Sequence, residues 1–370
     1  MQTSEYLKLF AGNKVVSGLS DFIKIAEKSF ANVKGLNGSA LSVIASFVIK
    51  QDIKNHIFIL ENKESAAYFY NDLENIAGES NFDYNNKNIL FFPTSYKRPY
   101  QTENVENANI LLRSEVLNRL SNSQKNTVIV TYPEALCEKV ITRKSLIKNT
   151  LKLKKGESVN HDFITDILIE YEFERVDFVV DAGQFAIRGG IVDVFSFSND
   201  YPYRIEFFGD EVESIRTFDP VNQLSKQQLE QISILPNIQL QRFTEFRDSF
   251  FSFVPENAVV WIENLEFASD RINLEFVRAE TAYSEIEVDT GHLKPAELYM
   301  NSSEFHKNIL DFKIIEIGSK TSLKHSSEFI FNTSQQPVFN KKFDLLAENL
   351  INNKEKNFFN FIATENQKQV

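Results

Sequence analysis

Residues 183–220 read GQFAIRGGIVDVFSFSNDYPYRIEFFGDEVESIRTFDP, short runs of alternating apolar and polar side chains punctuated by glycine-bearing dipeptides. Alternation with a period of two marks half-buried strands, and Gly189-Gly190 and Gly209-Asp210 between such runs are two-residue hairpin signals. In YRIEFF, 203–208, the pleat sends Tyr203, Ile205 and Phe207 to one face and Arg204, Glu206 and Phe208 to the other. The second set holds two charges, so it is read as the solvent face. In QFAIR, 184–188, Phe185 and Ile187 form the apolar set and Arg188 points away with Ala186. Arg188 and Arg204 are therefore expected to share an exposed surface with the aromatic Phe208, a composition enriched at protein-interaction hot spots. The competing reading makes Phe208 a cover for its own sheet edge and the arginines solvated partners of Glu206, Asp193 or Glu211. An amphipathic stretch with Phe163, Ile164, Ile167, Leu168 and Tyr171, then FERVDFVV (173–180) as a further strand, completes a small inserted α+β domain over 148–237.

The texture before residue 148 is different. HIFIL (56–60), ILFF (89–92) and TVIVT (127–131) are apolar runs short enough to be buried strands, separated by helical patterns at 66–77 and 104–121. This β/α alternation predicts an α/β domain with a parallel sheet over 1–147. From 238 to 370 a further α/β region is expected, with AVVWI (258–262) and FKIIEIG (312–318) as strands. FDLLAENLINNKEKNFFNFIA, from 343, reads as a helix followed by a strand-like run with nothing after it, which suggests the front part of a longer protein. No internal repeat or low-complexity tract stands out.

A chain of 370 residues exceeds one ordinary hydrophobic core, so several domains are expected. Its formal charge of −11 argues against a nonspecific grip on nucleic acid through the whole surface, although a local basic patch remains compatible. A single cysteine, Cys137, excludes an internal disulfide, fits a reducing cytoplasm, and is read as a packing residue. The N-terminus lacks a secretory or lipidation signal, and no stretch reaches the ~18 apolar residues of a membrane span. His56, His161, His292, His306 and His325 are scattered without a metal-ligand spacing, so neither a metal nor a cofactor is expected.

Residues 35–42, GLNGSALS, can be set against the phosphate-binding loop G-x-x-x-x-G-K-[ST]. Gly35 and Ser42 fit, and Gly38 adds flexibility, but Ala40 stands at the second glycine and Leu41 at the lysine. Without that lysine the loop has no fixed charge for the β- and γ-phosphates. On pattern alone it reads as a turn before a helix.

GQFAIRGGIVDVF followed by YRIEFFGDEVESIRTFDP closely resembles the second domain of UvrB and of the bacterial transcription-repair coupling factors (Mfd). FFPTSYKRPYQ (91–101), VIVTYPEAL (128–136) and LKLKKGESV (151–159) follow the order seen in those proteins, and the similarity extends over about residues 30–240. Two departures favour the coupling factors over UvrB. GLNGSALS matches their degenerate nucleotide loop, and RPYQTENVENANILLRSEVL (98–117) leaves no room for the DNA-clamping β-hairpin of UvrB. VVWIENLE (259–266) adds a weaker hint, with Glu263-Asn264 where a motor would carry Asp-Glu.

The resemblance implies a degenerate RecA-like domain, an inserted domain that docks UvrA through Arg188, Arg204 and Phe208, and an α/β region completing a UvrB-like body. It implies a non-catalytic chain within an ATP-dependent DNA translocase that displaces stalled RNA polymerase. RNA polymerase and DNA would be met by segments outside this chain, and a C-terminal domain would mask the UvrA face. The alternatives are a UvrB-like ATPase on damaged DNA and a DNA-binding module using the same arginines on phosphates.

Overall fold

The structure, a computed structural model, describes residues 7–25, 27–95, 99–100, 107–122, 126–237, 246–286 and 293–361. Four apolar runs early in the chain form β1 (Phe30–Lys34), β2 (His56–Ile59), β3 (Ile89–Phe91) and β4 (Val128–Thr131), the last three buried along their whole length. Short strands follow at β5 (Val140–Ile141) and β6 (Leu151–Lys154). β7 (Glu174–Arg175) comes next, and the stretch quoted first folds into β8 (Gln184–Arg188), β9 (Ile191–Val194), β10 (Tyr203–Phe208) and β11 (Glu211–Phe218). β12 (Ser225–Leu229), β13 (Gln231–Ile234), β14 (Arg247–Asp248), β15 (Val259–Glu263), β16 (Lys313–Ile317) and β17 (Ser327–Ile330) complete the set.

Seven strands in the order β17-β1-β16-β15-β2-β4-β3 make one parallel sheet. Of the strands in the region expected as a further α/β part, β15, β16 and β17 thus hydrogen-bond into the sheet begun by β1 to β4, while β14 pairs with β5. Trp261 on β15 donates through Nε1 to Nδ1 of the buried His56 on β2 (3.0 Å), whose Nε2 lies 3.2 Å from Asp52. That chain of bonds leaves the histidine proton on Nε2 and satisfies every polar group in it. Helices Ala40–Ile49, Lys63–Ala77 and Leu265–Ser284 contribute apolar residues to the same core.

A separate six-stranded sheet has the order β12-β11-β10-β9-β8-β7. One face, with Phe185, Val192, Val194, Tyr203, Ile205, Phe207 and Ile215, packs on Ile164 and Leu168 of helix His161–Glu170. β6 and β13 pair antiparallel beside it, Leu151 opposite Ile234 and Lys154 opposite Gln231. The expected strand 173–180 is cut to β7. After Arg175 the chain leaves the sheet, and the N–H groups of Val180 and Asp181 donate to Oε1 of Gln184, each at 3.0 Å, in place of a neighbouring strand.

Residues 333–361 belong to a second compact unit with helix Phe343–Glu355. The run expected as a strand after it has none through residue 361, and the remainder lies outside the described residues. So do His292 and residues 96–98 and 101–106, where the sequence argued against an inserted hairpin. Among the described residues no helix is long and apolar enough to cross a membrane.

Candidate docking face

The second face of the six-stranded sheet is built by register. β8, β9, β10 and β11 place Ala186, Asp193, Arg204 and Arg216 in one cross-strand row, and Arg188, Ile191, Glu206 and Ser214 in the next. Both hairpins are the two-residue turns read from the sequence. Gly190 is required there because a Cβ would stand 2.8 Å from the Phe207 carbonyl oxygen, to which space the chain is already committed by the Phe207 N–H donating to Gly190 O.

The alternation read from YRIEFF holds residue by residue, with Tyr203, Ile205 and Phe207 buried and Phe208 80% exposed. Phe207 meets His161 edge-on at 5.7 Å, whereas Phe208 stands at the hairpin tip opposite Glu211. The two arginines depart from a simple solvent face. Asp193 is wholly buried and accepts from Nε and Nη2 of Arg204 at 2.7 and 2.8 Å, and from Nη2 of Arg188. The Arg204 side chain is only 14% exposed: its guanidinium lies 4.3 Å from the Phe218 ring centre and reaches Gln223 Oε1 at 3.3 Å. Arg188 remains 38% exposed, with the Phe178 ring 5.4 Å from its guanidinium. The arginines are thus brought together on Asp193, one of the three carboxylates considered from sequence. What sequence missed is the small apolar cluster of Val179, Ala186, Phe195 and Phe218 that covers part of this face.

Glu206 makes a distinct pair. It accepts from Ser214 Oγ at 2.6 Å and from Arg216 Nη2 at 2.5 Å. The hydrogen bond from Arg216 is the main reason its carboxyl is held down at about 2, with Ser214 adding to the effect.

The loop 35–42 joins β1 to helix Ala40–Ile49, the place a phosphate loop occupies. Gly35 has φ +81°, and a Cβ there would meet the Phe331 carbonyl oxygen at 1.9 Å, so the chain after β17 lies directly against the loop. Gly38 is also left-handed, at φ +55°. Ala40 opens the helix, Leu41 is buried in the core, and Ser42 Oγ donates to Asp72 at 3.0 Å. Glu263 accepts the Glu61 N–H at 3.0 Å, and Asn264, at φ +51°, caps helix Leu265–Ser284 by accepting from Phe267 N. Leu41, Ser42, Glu263 and Asn264 thus each have a structural occupation. Among the described residues no group of three or more His, Cys, Asp or Glu side chains could hold a metal ion. Cys137 is buried, its Sγ toward the Met300 and Ile272 carbonyls, and burial pushes its thiol far up.

The family model of the UvrB interaction domain matches residues 151–240. A transcription-repair-coupling factor of Bacillus subtilis (strain 168) is 29% identical over 223 residues, 60% of this chain and 18% of that protein. One from Rickettsia bellii is 29% identical over 207 residues, 55% of this chain and again 18% of that protein. UvrABC system protein B of Streptococcus agalactiae is 24% identical over 292 residues, 77% of this chain and 44% of that protein. The chain therefore spans less than half the length of each of these relatives. Residues 151–240 thus match the UvrB interaction domain, and the chain is similar, over a longer stretch, to transcription-repair-coupling factors and to UvrABC system protein B.

Proposed function

We propose that this chain is a non-catalytic docking module of a cytoplasmic transcription-repair coupling factor, and that residues 148–237 recruit UvrA in nucleotide excision repair. The observation that carries the reading is an 80% exposed phenylalanine at a hairpin tip of the same sheet as the Arg188–Arg204 pair, within the residues that match the UvrB interaction domain. An aromatic ring left in water at a hairpin tip adds nothing to its own core, and burial against a partner would recover its hydrophobic free energy. Arginine on the same sheet supplies charge-assisted hydrogen bonds with fixed direction. Contact with RNA polymerase and DNA belongs, in this reading, to other parts of the coupling factor, one of which masks the face until it is needed.

The test measures UvrA affinity for Arg188→Ala, Arg204→Ala and Phe208→Ala beside Phe207→Ala. Phe208→Ala and Arg188→Ala should each weaken binding by roughly thirtyfold, about 2 kcal/mol, the first with unchanged melting and the second with a small loss of melting temperature, since Asp193 gives up one of its three hydrogen bonds. Arg204→Ala should weaken binding and also lower the melting temperature, because it leaves part of the Asp193 carboxylate unpaired in the protein interior. Phe207→Ala should chiefly open a cavity and destabilise the fold. Normal UvrA binding by the Phe208 and Arg188 variants would sink the reading.

A further inference from the structure

Asp193 lies beneath the face, wholly buried, with two guanidiniums converging on it. The two arginines are held differently. Arg204 bonds Asp193 through both Nε and Nη2, rests on Phe218 and turns its remaining N–H groups toward Gln223. Arg188 gives one nitrogen to Asp193 and sets Nη1 3.4 Å from the Asp177 carbonyl oxygen, leaving the rest of its guanidinium toward solvent. Above it lies the ring of Phe178, itself 62% exposed, in the segment that leaves the sheet after β7. That segment is pinned by the two bonds from Val180 and Asp181 to Gln184, so the ring is not carried on a loose loop.

We propose that Asp193 and Phe178 are positioning residues for Arg188: the carboxylate grips it from below, the ring from above, and the docking partner meets a guanidinium already in place. A free surface arginine would lose rotamer freedom on binding, and fixing it beforehand removes that loss from the association step. The charges agree with an outward role. Two guanidiniums share one carboxylate, so a positive charge remains at the surface of a chain whose formal charge is −11.

The proposal rests on the UvrA-docking reading, and double-mutant cycles on the full chain separate the two. With purified UvrA as probe, Asp193→Asn should weaken binding about tenfold and Phe178→Ala about three- to fivefold. In an Arg188→Ala background Phe178→Ala should add less than about twofold, because the group it positions is gone, whereas Asp193→Asn should lose the share of its effect exerted on Arg188 and keep the share exerted through Arg204. A merely structural role would give the same loss in both backgrounds and would overturn the proposal, as would normal binding by both single variants. Should Asp193→Asn fail to fold, the Phe178 cycle decides alone, since that ring is largely exposed and its removal should leave thermal unfolding unchanged. Normal binding by Arg188→Ala overturns the docking reading itself, and this proposal with it; weakened binding by Arg188→Ala with additive cycles overturns only the positioning.

Discussion

Leu41 shows how one side chain decides between two chemistries. At the lysine position of a phosphate loop it is 7% exposed and packed in the main core. A lysine there would have to bury or bend its ammonium out at the start of a helix, where the dipole disfavours a cation that no phosphate balances. Leu41→Lys is expected to destabilise the protein by ~1–3 kcal/mol in urea unfolding and to create no ATP binding at millimolar concentrations. Micromolar ATP affinity by calorimetry, in the wild type or the variant, would be the contrary result. The sequence carried half of this: the missing lysine was visible, but Phe331 against Gly35 was not, because nearly three hundred positions separate residues that only the sheet brings together. Asp193 was harder still. On an alternating strand it reads as a surface acid, and only the covering by Val179 and Phe218 makes it a buried pivot.

The β10–β11 hairpin was legible as an element because its period is local. Its irregularity was not. The register shifts between Glu206 and Phe207, which face Ser214 and Val212, so Glu213 is an extra residue and both Val212 and Ile215 turn inward. Strict alternation in EVESIRTF would have put Ile215 outside with Glu213. β1 was overlooked altogether, because Asn32 interrupts its apolar run; buried, it donates to the Glu316 and Gly318 carbonyl oxygens at 3.1 and 3.0 Å. The same hairpin has a pH signature. Because the folded Glu206 carboxyl titrates near 2, below the ordinary value of about 4.3, its contribution is fully present above the unfolded pKa and disappears as pH falls through about 2. The melting-temperature advantage of wild type over Glu206→Gln should therefore be constant above about pH 5 and shrink between about pH 4 and 2. It should be small, as the pair is partly solvated, and an advantage that grows on acidification would contradict the assignment.

At the scale of the molecule, the parallel sheet takes strands from both sides of the β6–β13 segment, with β15 lying between β2 and β16. The sheet should therefore survive loss of what lies between. Replacing residues 155–230 by Asn-Gly would join Lys154 to Gln231, already opposite each other, through a turn suited to a two-residue hairpin. The shortened chain is expected to keep the emission of its only tryptophan, the buried Trp261, and a cooperative unfolding transition, while losing all UvrA binding. Unfolded product, or retained UvrA affinity, would count against this division of labour. The same pairing has a mechanical side. Leu151 and Ile234 sit together at one end of the ladder, Lys154 and Gln231 at the other. Tension from a captured partner would run lengthwise through both strands at once, neither shearing nor unzipping the bonds between them, so the neck should pull as a two-ply strap where a single connecting strand would swivel.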